Sequence, residues 1–134
     1  MAASLSVTRA GAILAVANVE RSVAFYSERL GFEVEALYDD PPYATLARAG
    51  ARLSLAEQGH AAEDRPGVLM NAPADPSSLQ VVLVLEMSGV REAYDALSAA
   101  GVRFLAEPYS PPWGGHRCFA VDPDGYLIEL EEPA

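Results

Sequence analysis

Glu129 is the residue with the clearest potential for chemistry in this sequence. It lies in the segment YLIEL (126–130), where Tyr126, Ile128 and Leu130 alternate with the pair Leu127 and Glu129. Alternation with a period of two predicts a strand that carries Leu127 and Glu129 on the same face. A carboxylate in that place can be a metal ligand, an acid–base group or an exposed strand residue. We expect it to line a ligand site, because Leu127 shares its face.

Trp113 lies in a second segment with binding potential, PPWGGHR (111–117). Prolines and glycines surround the ring and predict an irregular, tightly specified backbone. A tryptophan ring can stack on a flat heteroaromatic ligand or attract a cation. We therefore expect Trp113, Gly114 and His116 to contact a ligand. The alternatives are a structural cover over a hydrophobic edge for Trp113 and an ordinary surface residue for His116.

Tyr38 and Tyr43 flank a short loop, DDPP (39–42), which could close another side of a ligand site. They are candidate ligand contacts, although exposed tyrosines are also common in loops. Tyr26 and Tyr94 differ, because their helical spacing predicts that they are buried against a sheet.

The elements that position these residues occur twice along the chain. In the first copy, a strand (12–17) precedes a helix that begins after the N-cap Asn18 and ends at Gly31. A further strand starts at Phe32, and a hairpin turns at Ala49-Gly50. The second copy has a strand (81–87), a helix from Val90 to Gly101, a strand from Val102 and a hairpin at DPDG (122–125).

Aligning the two hairpin glycines places Ser54 at the position of Glu129, so Ser54 becomes a candidate site residue. The repeat predicts one α+β domain, 1–134, built from two βαβββ modules, 8–58 and 79–134, with a linker at 59–78. We expect a curved mixed sheet around a concave cleft and a homodimer, because two chains can pair such half-sheets equally well.

Charge and composition narrow the classes of partner. The net charge is −10, and all nine basic residues are arginines. No arginine cluster supplies the positive stripe that a nucleic-acid partner requires. An acidic field favours the approach of cationic small molecules, or simply maintains solubility. We expect a cytoplasmic protein without a membrane segment, and a buried, unreactive Cys118.

With these segments in view, the chain resembles the vicinal-oxygen-chelate superfamily of glyoxalases, bleomycin-resistance proteins and extradiol dioxygenases. The resemblance rests on VANVERSVAFYSERLGFEV (16–34), GVREAYDALSAAGV (89–102) and PWGGHRCFAVDPDGYLIEL (112–130). It implies the paired βαβββ fold. For metal-dependent members it also implies four ligands: two histidines, a glutamate or similar residue, and a second glutamate.

These four positions fall on Gly11, Val82, Ser54 and Glu129. Only Glu129 is a good ligand, so we predict no metal and no cofactor. The resemblance is then to the metal-free drug-binding type, which implies non-covalent sequestration of an aromatic or cationic antibiotic or metabolite. The alternative is a lyase, isomerase or dioxygenase that uses Glu129 with a rearranged metal site or as a metal-free acid–base group.

Overall fold

Two four-stranded mixed sheets, each with one helix, form the framework of the molecule. The computed structural model describes residues 4–134, and the chain divides into two compact units between Asn71 and Ala72. The first unit contains β1 (Gly11–Val16), α1 (Val19–Ala24) with a π-helical continuation (Phe25–Arg29), β2 (Glu33–Asp39), β3 (Pro42–Arg48) and β4 (Ala51–Glu57). The second contains β5 (Val82–Glu86), α2 (Val90–Ala99), β6 (Arg103–Phe104), β7 (His116–Val121) and β8 (Leu127–Glu132).

Both sheets have the same topology. The strand order is β1-β4-β3-β2 in the first unit and β5-β8-β7-β6 in the second. In each sheet the first strand lies parallel to the last strand, and the other pairs are antiparallel. The predicted α+β fold with a repeated βαβββ order is therefore confirmed.

The core of the first unit lies between its sheet and α1. Leu46, Leu53 and Leu55 are at most 1% exposed, and Tyr26 is completely buried, as its helical spacing predicted. Tyr26 contacts Phe32 edge to face, with ring centroids 5.7 Å apart. Because side chains alternate along a strand, the opposite face carries the other set of residues. We call that set, which includes Gly11, Tyr43, Arg52 and Ser54, the helix-free face of the first unit.

The second unit repeats this division. Its helix side buries Cys118, Ala120, Ile128 and Leu130, all at most 3% exposed. The predicted burial of Cys118 is thus confirmed, and burial raises the pKa of its thiol to about 11. The helix-free face of the second unit carries Val84, Arg117, Phe119, Leu127 and Glu129. Tyr94 is only half-buried, and its ring packs against Phe104 with centroids 4.8 Å apart.

Turns and caps explain the predicted boundaries. Asn18 accepts a hydrogen bond from the Arg21 N–H at 2.9 Å, as an N-cap does. In the second hairpin, the carboxylate of Asp122 accepts from the backbone N–H groups of Asp124 and Tyr126 at 2.8 and 2.9 Å. The first helix ends before Gly31, as predicted, but it is not α-helical throughout. Its last turn widens where the Ser27 hydroxyl donates to the Val23 carbonyl at 2.7 Å.

The linker between the modules contains no helix or strand. Within residues 4–134, no helix combines the length and the apolar character needed to cross a bilayer.

Glu132 caps α2 from the end of β8, and this contact makes a prediction about stability. Its carboxylate accepts hydrogen bonds from the backbone N–H groups of Val90 and Gly89, both at 3.1 Å, and these bonds lower the pKa of Glu132. Because its folded pKa is depressed, the stabilisation is complete above the ordinary pKa of 4.5 and is lost as the pH falls through the folded value.

We expect Glu132→Gln to lower the melting temperature by roughly 2–8 °C at pH 7. The gap between this variant and the wild type should begin to narrow below the ordinary glutamate pKa, where the unfolded chain binds a proton, and should close as the pH falls through the lowered pKa of the folded carboxylate. Thermal melts at several pH values test this. A gap that stays constant from pH 7 to pH 3 would show that the charge of the cap is irrelevant.

Candidate functional site

Four side chains on the helix-free face of the second unit form an aromatic–arginine platform: Trp113, Arg117, Phe119 and Glu129. The Arg117 guanidinium carbon lies 5.4 Å from the centre of the Trp113 ring and 5.3 Å from that of Phe119. Its Nη1 atom lies 3.7 Å from Oε2 of Glu129. The cation therefore contacts two aromatic rings and one carboxylate.

The β7–β8 hairpin positions the platform. In its register Phe119 lies opposite Glu129, and Arg117 lies opposite Glu131 on the same face. The loop that carries Trp113 is held at Gly115, where φ is +75° and a Cβ atom would overlap the carbonyl oxygen of Glu132. Glycine is required there for both reasons. The loop presents the Trp113 ring to solvent, with the residue 69% exposed.

Glu129 is the buried end of the platform. Its side chain is 13% exposed, against 33% for Arg117. The sequence left three roles open for Glu129: a metal ligand, an acid–base group or an exposed strand residue. Its burial does not fit the third role. The carboxylate is instead a largely enclosed partner of a cation.

His116 and Gly114 occupy different places from Glu129. His116 belongs to the opposite face of β7 from Arg117, and its Nδ1 atom lies 3.0 Å from the Ser110 hydroxyl oxygen. Gly114, with φ of +97°, closes the loop beside Ala134. Both residues, with Trp113 and Arg117, line a small pocket of 120 Å³. The structure thus brings Trp113 and Glu129 together through Arg117, while His116, on the other face of β7, shares only the small pocket with Trp113 and Arg117.

Arg117 was not among the predicted site residues. The segment HRCFAV (116–121) alternates, so either His116 or Arg117 could have faced Glu129. The signal that decides between them is the small, buried pair Cys118 and Ala120, which share a face with His116. Packing against α2 selects these two residues, and Arg117 and Phe119 then take the other face.

Tyr38 and Tyr43, also predicted site residues, lie beside each other in the first unit. Their ring centroids are 6.1 Å apart, and both residues line a groove of 520 Å³ between α1 and the neighbouring ends of β2 and β3. Four acidic residues also line it: Glu20, Glu28, Asp39 and Glu57. No arginine is among the lining residues. The groove combines aromatic rings with carboxylates.

Ser54 and Tyr43 meet in a separate pocket of 300 Å³ on the helix-free face of the first unit. Ser54 is 3% exposed and lies beside Ile13 in the parallel β1–β4 pair. Glu129 lies beside Val84 in the corresponding β5–β8 pair. Ser54 and Glu129 therefore occupy equivalent positions in the two units, as the hairpin alignment predicted.

Comparison with known proteins identifies the class. Residues 7–130 match the Glyoxalase/Bleomycin resistance protein/Dioxygenase superfamily, and the chain belongs to this family. A glyoxalase/bleomycin resistance protein/dioxygenase from Nocardioides shares 24% identity with a TM-score of 0.76, over 98% of this chain and 85% of that one. No curated protein matches the chain at a significant level.

Two further solved structures show the same fold. A superfamily member from Sphaerobacter thermophilus DSM 20745 shares 24% identity and has a TM-score of 0.66, covering 92% of this chain and 95% of that one. A lactoylglutathione lyase from Agrobacterium tumefaciens shares 17% identity and has a TM-score of 0.73, covering 96% and 94%. At these identities the similarity establishes the fold alone.

The metal set that the family resemblance implies does not fit the residues present. Gly11 has no side chain, and a Cβ atom there would overlap the carbonyl oxygen of Arg52, so β1 and β4 approach too closely for a histidine. Val82 offers no donor atom. Among residues 4–134, no group of three or more His, Cys, Asp and Glu side chains is arranged to hold a metal ion.

Proposed function

We propose that this protein binds a flat aromatic small molecule, such as an aromatic or cationic antibiotic or metabolite, without a metal ion and without changing it chemically. The observation that carries the proposal is the aromatic–arginine platform. Trp113 is largely exposed, while the groups behind it are partly enclosed. A ligand ring can stack on Trp113 without first displacing another side chain from its outer face.

The contact between Arg117 and Glu129 suits recognition of a polar substituent. At 3.7 Å it is an ion pair rather than a short hydrogen bond, so N–H groups of the guanidinium are available to a ligand acceptor. The two opposite charges cancel, and the platform therefore selects mainly for a flat ring with a hydrogen-bond acceptor. Stacking supplies the affinity, and the guanidinium orients the ring.

The cationic part of the proposal is supported by features outside the platform. The chain has a net charge of −10, and the Tyr38–Tyr43 groove is lined by four carboxylate residues. The net charge attracts cations through the overall electrostatic field, and the groove attracts them through its carboxylates and the faces of its tyrosine rings. The proposal also includes a cytoplasmic homodimer. Ile13 and Val84, which are 51% and 49% exposed on the two helix-free faces, supply apolar surface for self-association.

Fluorescence of Trp113, the single tryptophan, tests the proposal directly. We expect a bound aromatic ligand to change its emission, and Trp113→Leu to weaken binding about tenfold in calorimetry because the stacking surface is lost. Trp113→Phe is the matched control, since it keeps a smaller ring and should retain most of the affinity. A ligand whose affinity is equal in all three proteins would contradict the platform as the binding site.

Recovery of the ligand separates binding from catalysis. After incubation with the protein, the compound should be recovered unchanged by mass spectrometry. Conversion that disappears in Glu129→Gln would instead support an enzyme that uses Glu129 as an acid–base group.

A further inference from the structure

The pocket on the helix-free face of the first unit has the features of an anion site. Arg9, Arg52, Ser54 and Tyr43 line it, and Gly11 leaves it without a side chain at one position. We propose that it binds an oxyanion, the carboxylate or phosphate group of a small organic molecule. The residues of this site all belong to the first unit, whereas those of the aromatic–arginine platform belong to the second.

The two arginines give the pocket a local positive charge. Arg9 donates to both carboxylate oxygens of Glu35 at 3.0 Å, so this pair is internally neutralised. The side chain of Arg52 has no hydrogen bond or ion pair to another residue in the range 4–134, and it interacts with Glu35 only through longer-range electrostatics. One arginine charge is therefore left uncompensated at the pocket, although the whole chain carries −10. A planar guanidinium with free N–H groups matches carboxylate and phosphate geometry.

Ser54 supplies a neutral donor beside this charge. The residue is 3% exposed, and within the described part of the chain its hydroxyl has no hydrogen bond to another residue. Within residues 4–134, every fully enclosed side-chain oxygen or nitrogen atom has a hydrogen-bond partner, so an oxygen without one cannot be fully enclosed. The Ser54 hydroxyl must therefore open onto the pocket that it lines. A hydroxyl donor next to a guanidinium is a suitable pair for one oxyanion.

Gly11 excludes the metal ligand that the family resemblance implies for this position. The backbones of β1 and β4 approach so closely here that a Cβ atom would overlap the Arg52 carbonyl oxygen. The two positions of the implied metal set in the first unit are thus a glycine and a serine, and two arginines line the same pocket. Arginines repel a divalent cation and attract an anion, so the pocket has the opposite charge preference.

Titration of amide NMR spectra with phenyl phosphate and benzoate, and with neutral benzamide as comparison, tests the site. Both anions should shift the amide signals of Gly11, Arg52 and Ser54, whereas benzamide should not. We expect Arg52→Gln to weaken phenyl phosphate binding at least tenfold and Ser54→Ala about threefold. Arg29→Gln, which removes the same charge from an exposed residue outside the pocket, should leave the affinity unchanged. Inorganic phosphate, titrated separately, distinguishes free phosphate from an organic ester.

Three results would overturn the proposal. Equal binding in Arg52→Gln and Arg29→Gln would mean that the protein attracts anions without a specific site. Benzamide that binds as well as benzoate would show an apolar pocket. Broadening of the Gly11 and Ser54 amides by Mn²⁺ would show that this position still holds a divalent cation. Because these signals belong to the first unit, failure here is distinguishable from failure of the Trp113 platform.

Discussion

Gly11→His will destabilise the protein by about 3 kcal/mol and will not create a metal site. Histidine is the residue type that the family resemblance implies for this position in metal-dependent members, so by residue type alone the substitution would restore a ligand. The Cβ atom would overlap the carbonyl oxygen of Arg52, and both groups belong to backbones paired in parallel. The strands must therefore separate, which breaks ladder hydrogen bonds on both sides of Gly11.

Ile13→His is the matched control for Gly11→His. Ile13 is two residues along the same strand, on the same face, 51% exposed and directly beside Ser54. We expect Ile13→His to change the free energy of unfolding by less than about 0.5 kcal/mol, as substitutions at ordinary exposed positions do. Urea unfolding measures both variants, and elemental analysis measures bound metal. A stable Gly11→His protein with one divalent ion per chain would contradict both the conclusion that a histidine does not fit at this position and the proposed oxyanion pocket.

The repeated elements were predictable because local signals agreed with one another. Asn18, Gly31 and the DPDG turn each specify a boundary by backbone chemistry that acts within a few residues. Alternation then assigned Leu127 and Glu129 to one face of β8, and that face carries the platform. Even the equivalence of Ser54 and Glu129 followed from aligning two turns, since strand register is fixed by the hairpin.

The partners of the candidate residues were not predictable from the same signals. Whether Arg117 faces Glu129 depends on which face of β7 packs against α2, and that is a tertiary choice. Arg52 gave no local signal at all, because an exposed arginine in a strand is ordinary. The closeness of β1 and β4 at Gly11 depends on a parallel pairing between residues far apart in sequence. These tertiary contacts determine the chemistry of the aromatic–arginine platform and of the oxyanion pocket.

Arg117→Met should convert the aromatic–arginine platform from a neutral to a cation-selective surface. Methionine keeps an unbranched, polarisable side chain between Trp113 and Phe119, but it no longer pairs with Glu129. A carboxylate that is 13% exposed is then left without its cation. Two unit charges about 4 Å apart interact by up to about 4 kcal/mol at an effective dielectric constant of about 20, before discounting for solvent.

We expect Arg117→Met to bind a flat cationic dye at least about tenfold more tightly than the wild type, a change of roughly 1.4 kcal/mol. An anionic dye of the same ring size should bind about tenfold more weakly, because it loses the guanidinium and meets a free carboxylate. Titrations monitored by Trp113 emission give both constants.

Arg103→Met separates the local effect from the general one. Arg103 lies opposite Val121 in the β6–β7 pair, on the same face of the sheet as Arg117, and its loss changes the net charge by the same amount. If the acidic field of the whole chain controls cation binding, the two variants will behave alike. If Glu129 controls it, only Arg117→Met will reverse the preference, and Arg117→Met combined with Glu129→Gln will abolish the gain. If Arg117→Met and Arg103→Met behave identically, Glu129 does not contact the ligand. Stacking on Trp113 would then be the only specific contact that the platform makes.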